Sequence, residues 1–211
     1  MFDACWITRP SLLDGLMRYY SLEGNSRDSI TGVLGTDSHV TYAAGNGKLG
    51  LGAGFAGDGG IIAPSLAKTT SYTVSMWIKP GAQTVTAIPI TLGNPGGAGC
   101  FLLFYSGGAS WIVSNGAAYL ASVALPLNTW THFAITNNEG TATVYVSGVV
   151  VAGPAGFLST ASSAPLWIGN YTPGNNPFVG AMDEVGVWNR ALNTAEVAGL
   201  YNAGNGKIYP F

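Results

Sequence analysis

The chain has 211 residues, of which 9% are charged, and its formal net charge at neutral pH is −2. This length fits a single all-β domain, and the small net charge without a basic patch gives no electrostatic basis for binding nucleic acid. No apolar run reaches the length of a membrane-spanning helix, so membrane insertion is not expected.

The low charge content bears on how the surface is used. Globular domains usually contain about 25% charged residues, which help to keep molecules apart in solution. We therefore expect other subunits to cover much of the surface, either in a homo-oligomer or in a larger particle. The alternative is a neutral surface coated with Ser, Thr, Asn and Gly, as on a lectin.

The first 20 residues do not follow a strand pattern, and we predict an N-terminal arm at 1–20 ahead of one domain at 21–211. Helical spacing favours a short helix in the arm, with apolar residues at Leu12, Leu13, Leu16 and Met17. The start of the chain lacks the basic and apolar regions of a secretory signal. Cys5 and Cys100 are too few for a disulfide framework. Cys100 is expected to be a small core residue, and a Cys5–Cys100 bridge is the alternative.

Strand signals fill the middle of the chain. Apolar and polar residues alternate through Tyr72–Pro80, as in a half-buried strand. Glycine-rich turns separate four further predicted strands, at 88–92, 101–105, 110–114 and 118–124. The segments 131–136 and 143–146 flank the sequence Asn137-Asn138-Glu139-Gly140, which is typical of a hairpin turn.

The C-terminal segment contains two strands and then a helix. An apolar strand begins at Leu166, and an extended pattern resumes from Phe178 to Trp188. Asn193 and Glu196 have the spacing of a capping box, which predicts the start of a short helix. Apolar residues then follow at helical spacing, at Val197, Leu200 and Tyr201. Gly204 is placed to end the helix.

Three blocks of this sequence resemble laminin-G-like jelly rolls of the concanavalin A-like lectin/glucanase superfamily. They are YTVSMWIKP at 72–80, NTWTHFAITNNEGTATVYVSGVVV at 128–151, and the pattern "pl-iG…f-G-iDev-iynraLs-aEi-aLy" over 165–201. The segment from Leu16 to Leu22 is similar to the first strand of that family. The resemblance implies an all-β, two-sheet antiparallel jelly-roll sandwich with one short C-terminal helix.

The same resemblance argues against catalysis. Glucanases of the superfamily carry paired carboxylates in a pattern like E-x-D-x-x-E, which places nucleophile and acid on one sheet face. This chain has no such pattern. Asp183 and Glu184 are the close pair, and neighbouring residues of a regular strand point to opposite faces. We therefore expect a protein that is not an enzyme.

A structural Ca²⁺ is the one cofactor that the resemblance suggests, since many relatives bind calcium at the rim of the sandwich. Asp183 matches the aspartate of the family's "iDev" block, and Asp28 matches an acidic position after the first strand. Ser147 replaces the aspartate of the family's "YvDG" turn. The alternative is that Asp183 accepts hydrogen bonds from backbone amides near a strand end.

Sugar binding requires an exposed aromatic face beside polar groups. The candidates are Tyr105, Trp111, Tyr119 and Tyr171. Packing is the alternative role for each of them. Four other tryptophans match core or near-core positions of the family and are discounted: Trp77, Trp130, Trp167 and Trp188. His132 is expected to be a packed or hydrogen-bonded strand residue.

These features favour a non-enzymatic, virion-type structural or decoration protein that displays a lectin-like sandwich, with adhesion to host surface glycans. The tail from Tyr201 to Phe211 resembles the ends of laminin-G-like proteins of tailed bacteriophages, although similar endings occur in bacterial proteins. Residues 1–20 would attach the sandwich to its neighbours in a virion assembled in the host cytoplasm. The alternatives are a secreted or cell-surface carbohydrate-binding module and, less favoured, a glycoside hydrolase.

Overall fold

A computed structural model describes residues 11–67, 69–84, 86–93, 101–107, 110–115, 119–157, 165–170 and 176–211. Cys5 and Cys100 therefore lie outside the described residues. Within the described ranges, the chain forms one α-helix, α1 (Thr194–Tyr201), and thirteen strands. The strands are β1 (Leu16–Tyr20), β2 (Thr36–Ala43), β3 (Gly52–Ile62), β4 (Tyr72–Pro80), β5 (Ile90–Leu92), β6 (Phe101–Gly107), β7 (Ser110–Ser114), β8 (Tyr119–Ala124), β9 (Thr131–Asn138), β10 (Thr141–Val146), β11 (Val149–Gly156), β12 (Leu166–Ile168) and β13 (Val179–Trp188).

The strands form an antiparallel sandwich, which confirms the predicted fold class. We call β11-β10-β9-β4-β13, with β1 on β13, the first sheet, and β12-β5-β6-β7-β8 the second sheet. Strand β3 connects the two sheets, because residues 53–56 pair with β13 while Ile61 and Ile62 pair with β12. Strand β2 pairs with β3 on its other side.

One apolar core lies between the sheets. In β4 the inward side chains are Tyr72, Val74, Met76 and Ile78, all fully buried. Partners from the second sheet, including Ile90, Leu103 and Val113, belong to the same cluster. Alternation along β4 thus sends every second residue into the core and the others to the outer face.

Local signals predicted the hairpin between β9 and β10 correctly. Glu139 and Gly140 both have positive φ, 48° and 90°, and Asn138 pairs with Thr141 across this two-residue turn. Such turns match the twist of the flanking strands, which is why an Asn/Gly-rich sequence favours them.

Helix α1 packs on the outer face of the first sheet. Its predicted capping box is present, with the Asn193 side chain accepting from the Glu196 N–H and the Glu196 carboxylate accepting from the Asn193 N–H. Val197 and Leu200 pack into a second apolar cluster with Trp188. The helix ends at Asn202, which is left-handed at φ 49°, two residues before the predicted Gly204. No helix in the described residues is long and apolar enough to cross a membrane.

The short helix predicted around Leu12–Met17 is wrong. Residues 12–15 form turns, and Leu16–Tyr20 pair with β13 as strand β1. Gly15 has φ 74°, which is outside the helical region, and a side chain at this position would collide with Asn189. The Trp188 indole N–H donates to the Leu12 carbonyl at 2.7 Å, so this segment is fixed on the end of β13.

The capping box predicts a measurable loss of stability in Asn193→Ala. Removing an N-cap side chain leaves a helical N–H without its acceptor and costs about 1 kcal/mol, or roughly 2–4 °C in Tm for a chain of this size. Thermal unfolding followed by circular dichroism measures this. The exposed helix substitution Ala198→Ser is the control, and equal Tm values for both variants would contradict the role of the cap.

Candidate functional site

The outer face of the second sheet carries a row of aligned residues. Strand register places Trp167 beside Thr91, continues through residue 102 to Ser114, and ends at Tyr119. Strands lie about 4.8 Å apart, so the row spans about 19 Å between its two aromatic residues. Thr91 and Ser114 are buried, whereas Trp167 is half-buried and Tyr119 is 74% exposed.

An open cavity of about 360 Å³ lies against β7 and β8, lined by Ser110, Ser122, Val123 and Ala124. The hydroxyls of Ser110 and Ser122 are 2.6 Å apart and share a hydrogen bond. Ser122, Ala124 and Tyr119 lie on one face of β8. Their respective partners on β7 are Ile112, Ser110 and Ser114, which alternate with the core residues of that strand. The cavity is open to solvent, so a ligand can reach it from outside.

The four aromatic residues predicted to bind sugar do not share one environment. Trp111 is fully buried in the core, with its ring 6.0 Å from that of Phe178, so it offers no face to a sugar and its prediction is corrected to packing. Tyr105 pairs with Trp111 and shares its inward side of the sheet, half-buried, with ring centroids 5.3 Å apart. Tyr119 is exposed on the outer face, and Tyr171 lies outside the described residues.

Trp167 is one of the four tryptophans that were discounted for sugar binding because they match core or near-core positions of the family. Its neighbours Leu166 and Ile168 are fully buried in the core, so alternation sends Trp167 to the outer face. The match to a family position did not reveal this alternation. The outward position of Trp167 was therefore readable only once the core side of β12 was known.

The Asp183–Glu184 pair does not lie on opposite faces, which corrects the prediction from strand alternation. Asp183 pairs with Trp77 of β4, but the next pair is Gly186 with Ser75, so β13 contains one extra residue. This β-bulge includes Glu184 in the left-handed region at φ 52°. Both carboxyl groups consequently lie on the outer face of the first sheet.

Asp183 is held by backbone amides, as its alternative reading proposed. Its Oδ2 accepts from the N–H groups of Lys48 and Leu49, both at 2.8 Å, and its Oδ1 accepts from the Glu184 N–H at 3.0 Å. The carboxylate therefore fixes the loop before β3 to the central strand of the first sheet.

Asp28 is held by a separate set of groups. It accepts from the N–H groups of Tyr19, Ile30 and Thr31, and Arg18 lies 3.4 Å away. All four carboxylate oxygens of Asp28 and Asp183 thus face donors, and the donors of one are not donors of the other. This arrangement does not fit a shared calcium ion, which needs oxygens free to coordinate it. Among the described residues, no three His, Cys, Asp or Glu side chains form a metal-binding group.

Glu184 belongs to a buried polar cluster below the C-terminal tail. The Tyr19 hydroxyl donates to its carboxyl group, and Ser75 and the His132 Nε2 are 2.9 Å apart nearby. These residues line a cavity with free space of about 10 Å³, which is near the minimum for one water molecule. The His132 Nδ1 has no hydrogen-bond partner among the described residues.

Burial sets the protonation of this cluster. It raises the pKa of Glu184 to about 8, assisted by the neighbouring Asp183 charge. Burial also raises the pKa of Asp183 to about 7, although its three backbone donors oppose the rise. Burial lowers the pKa of His132 to about 4. At neutral pH the pair therefore retains a proton on Glu184, and His132 is neutral.

Glu184→Gln should flatten the pH dependence of stability between about pH 4 and pH 8. The unfolded chain loses this proton near pH 4.3, whereas the folded chain keeps it to about pH 8. Stability therefore falls as pH rises between those values, by about 1.4 kcal/mol per pH unit for each retained proton. Glutamine keeps an oxygen acceptor for Tyr19 but cannot ionise.

Urea unfolding at pH 6.5, 7.5 and 8.5 measures this effect as the difference between the variant and the unmodified chain, in which the contribution of His132 cancels. Glu139→Gln, which removes an exposed carboxyl of the hairpin turn, is the matched control. A Glu184→Gln variant whose stability falls as steeply as that of the unmodified chain would contradict the assignment.

The family Laminin_G_3, described as Concanavalin A-like lectin/glucanases superfamily, matches residues 55–198. No curated protein matches the chain.

Solved structures share the fold. Domain 4 of AbnA, a GH43 extracellular arabinanase from Geobacillus stearothermophilus solved with arabinotriose, is 24% identical with a TM-score of 0.71, over 87% of this chain and 97% of that domain. Trypanosoma rangeli sialidase in complex with the inhibitor DANA is 18% identical with a TM-score of 0.71, over 98% of this chain. This chain spans only 36% of that sialidase. The binding domain of Paraclostridial Mosquitocidal Protein 1 is 16% identical with a TM-score of 0.63, over 90% of this chain and 52% of that one.

Proposed function

Since the chain belongs to the Laminin_G_3 family of the concanavalin A-like lectin/glucanases superfamily, we propose that it is a non-enzymatic protein that binds glycans through its second sheet. The domain is lectin-like in fold, and one protein of similar fold, AbnA domain 4, was solved with arabinotriose. A shared fold alone does not show that two proteins bind the same ligand. The proposal therefore rests on the second sheet itself.

The observation that carries the proposal is the open cavity beside β7 and β8. Its paired hydroxyls, Ser110 and Ser122, are groups that exchange hydrogen bonds with sugar hydroxyls in both directions. Tyr119 is exposed on the same face and supplies an aromatic ring for the apolar side of a sugar. An apolar face beside a few polar groups is the usual make-up of a small-ligand site.

The acid pair supports a non-enzymatic role. Asp183 is fully buried, Glu184 is 5% exposed, and the cavity beside Glu184 has room for about one water molecule. A glycosidase needs two carboxyl groups on either side of a sugar ring, with room for that ring. Here the Asp183 oxygens accept hydrogen bonds from backbone N–H groups, and Glu184 accepts one from Tyr19. Both carboxyl groups therefore stabilise the fold.

The glycan proposal predicts weaker binding in Tyr119→Ala. Loss of an exposed aromatic platform should reduce affinity at least about tenfold, which corresponds to about 1.4 kcal/mol, without a change in Tm. A glycan array followed by calorimetric titration of the strongest ligand measures this. Ile208→Ala removes an equally accessible apolar side chain from the C-terminal tail and is the matched control. Broad silence on the array, or unchanged affinity in Tyr119→Ala, would contradict the proposal.

We further propose that the sandwich is displayed on a virion-type assembly, with the N-terminal arm making the attachment. The specific observations are the 9% charge content and three consecutive exposed valines, Val149–Val151, on strand β11, which pairs with β10 alone among the described strands. An uncharged, exposed edge strand tends to associate with other protein. A secreted or cell-surface binding module remains the alternative setting.

Removing residues 1–10 tests the arm without removing strand β1, which begins at Leu16. The shortened chain should keep its Tm but lose self-association, as measured by light scattering over rising concentration. The matched control is Val33→Lys, which places a charge on an exposed valine outside β11 and leaves the arm intact. Equal assembly of the full and shortened chains would contradict attachment through the arm.

A further inference from the structure

Charge is distributed very unevenly along the sequence. From residue 80 to residue 182 there is one Asp, Glu, Lys or Arg, namely Glu139. Glu139 lies in the turn between β9 and β10, so it belongs to the first sheet. Strands β5 to β8 and β12, which together make up the second sheet, all lie within this segment and contain no charged residue.

The described cations lie outside the strands of the second sheet. Lys48 and Lys79 stack on Trp77 and Trp130, with distances of 4.6 and 5.2 Å to the ring centroids. Arg190 bonds to Glu196 beside the helix. The remaining described cations lie on β1, in the turn after it and in the C-terminal tail, at Arg18, Arg27 and Lys207. Arg9 and Lys68 are outside the described residues.

An acidic sugar needs compensation for the loss of water around its charge. A carboxylate or sulfate transferred to a protein surface without a cation loses hydration that neutral hydroxyls cannot restore. Proteins that select such groups supply Arg or Lys, whose charge-assisted hydrogen bonds are about twice as strong as neutral ones. The Ser110–Ser122 pair and Tyr119 provide neutral donors, acceptors and an aromatic face only.

We infer that the second sheet selects neutral glycans and discriminates against glycans bearing sialic acid, uronic acid or sulfate. This inference rests on the proposed glycan-binding function and adds its ligand class. The inferred ligand class also differs from the sialic acid ligands of the sialidases that share the fold. At 18% identity, a shared fold does not determine whether the ligand is charged or neutral.

The test uses glycan pairs that differ only by a terminal sialic acid, presented on one array to the full chain at 50 and 500 mM salt. Neutral members should bind at least about tenfold more tightly than their sialylated partners, and their binding should not weaken with salt, because screening acts on charges. Equal or preferred binding of sialylated members would overturn the inference while leaving the glycan-binding function intact. Absence of binding to every glycan would overturn both.

A second test adds a positive charge at the cavity and measures whether binding of the sialylated glycans increases. Ser122→Arg places a guanidinium at the cavity and should raise binding of the sialylated members by about tenfold, in a salt-dependent manner. Val149→Arg places the same charge on β11, away from the cavity, and should leave the selectivity unchanged. Equal gains in both variants would show a non-specific charge effect and would overturn the location of the site. Thermal unfolding of both variants checks that the fold is retained.

Discussion

Two carboxyl groups, buried side by side at a bulge in β13, hold the first sheet in its arrangement. Strand β13 pairs with β4 along one edge and with β1 and β3 along the other, so several registers depend on it. Glu184 takes a left-handed conformation there, which costs a residue other than glycine about 1–2 kcal/mol. The free-energy cost of burying Asp183 is offset by hydrogen bonds from the loop before β3. The cost of burying Glu184 is offset by the hydrogen bond from Tyr19 of β1.

The outer faces of the two sheets therefore differ. The outer face of the first sheet is occupied by the acid pair, helix α1 and the tail, where Phe211 packs against Trp188 and Tyr19. The outer face of the second sheet has no charged residue on its strands and retains an open cavity. The packed outer face and the surface proposed for recognition thus lie on opposite sides of one core, so a ligand on the second sheet would leave the buried acids undisturbed.

The sequence predicts the parts of this structure that depend on local interactions. The capping box at Asn193, the turn at Glu139–Gly140 and the alternation of Tyr72–Pro80 were readable because each depends on neighbours in the chain. The placement of Trp111 was not, because its inward direction depends on which face of the sheet packs against residues distant in sequence, such as Phe178. The common face of Asp183 and Glu184 was also hidden, since a glutamate gives no local sign of a left-handed bulge.

A direct titration of the two acids tests the central claim that they are buried structural groups. Carbon-13 NMR of the Asp183 and Glu184 carboxyl groups in the full chain, assigned with Glu184→Gln, measures each protonation. The account predicts that Glu184 holds its proton to about pH 8, far above an exposed glutamate. Titration of both groups near pH 4 would contradict it, because the pair would then be hydrated and the first sheet open to a ligand.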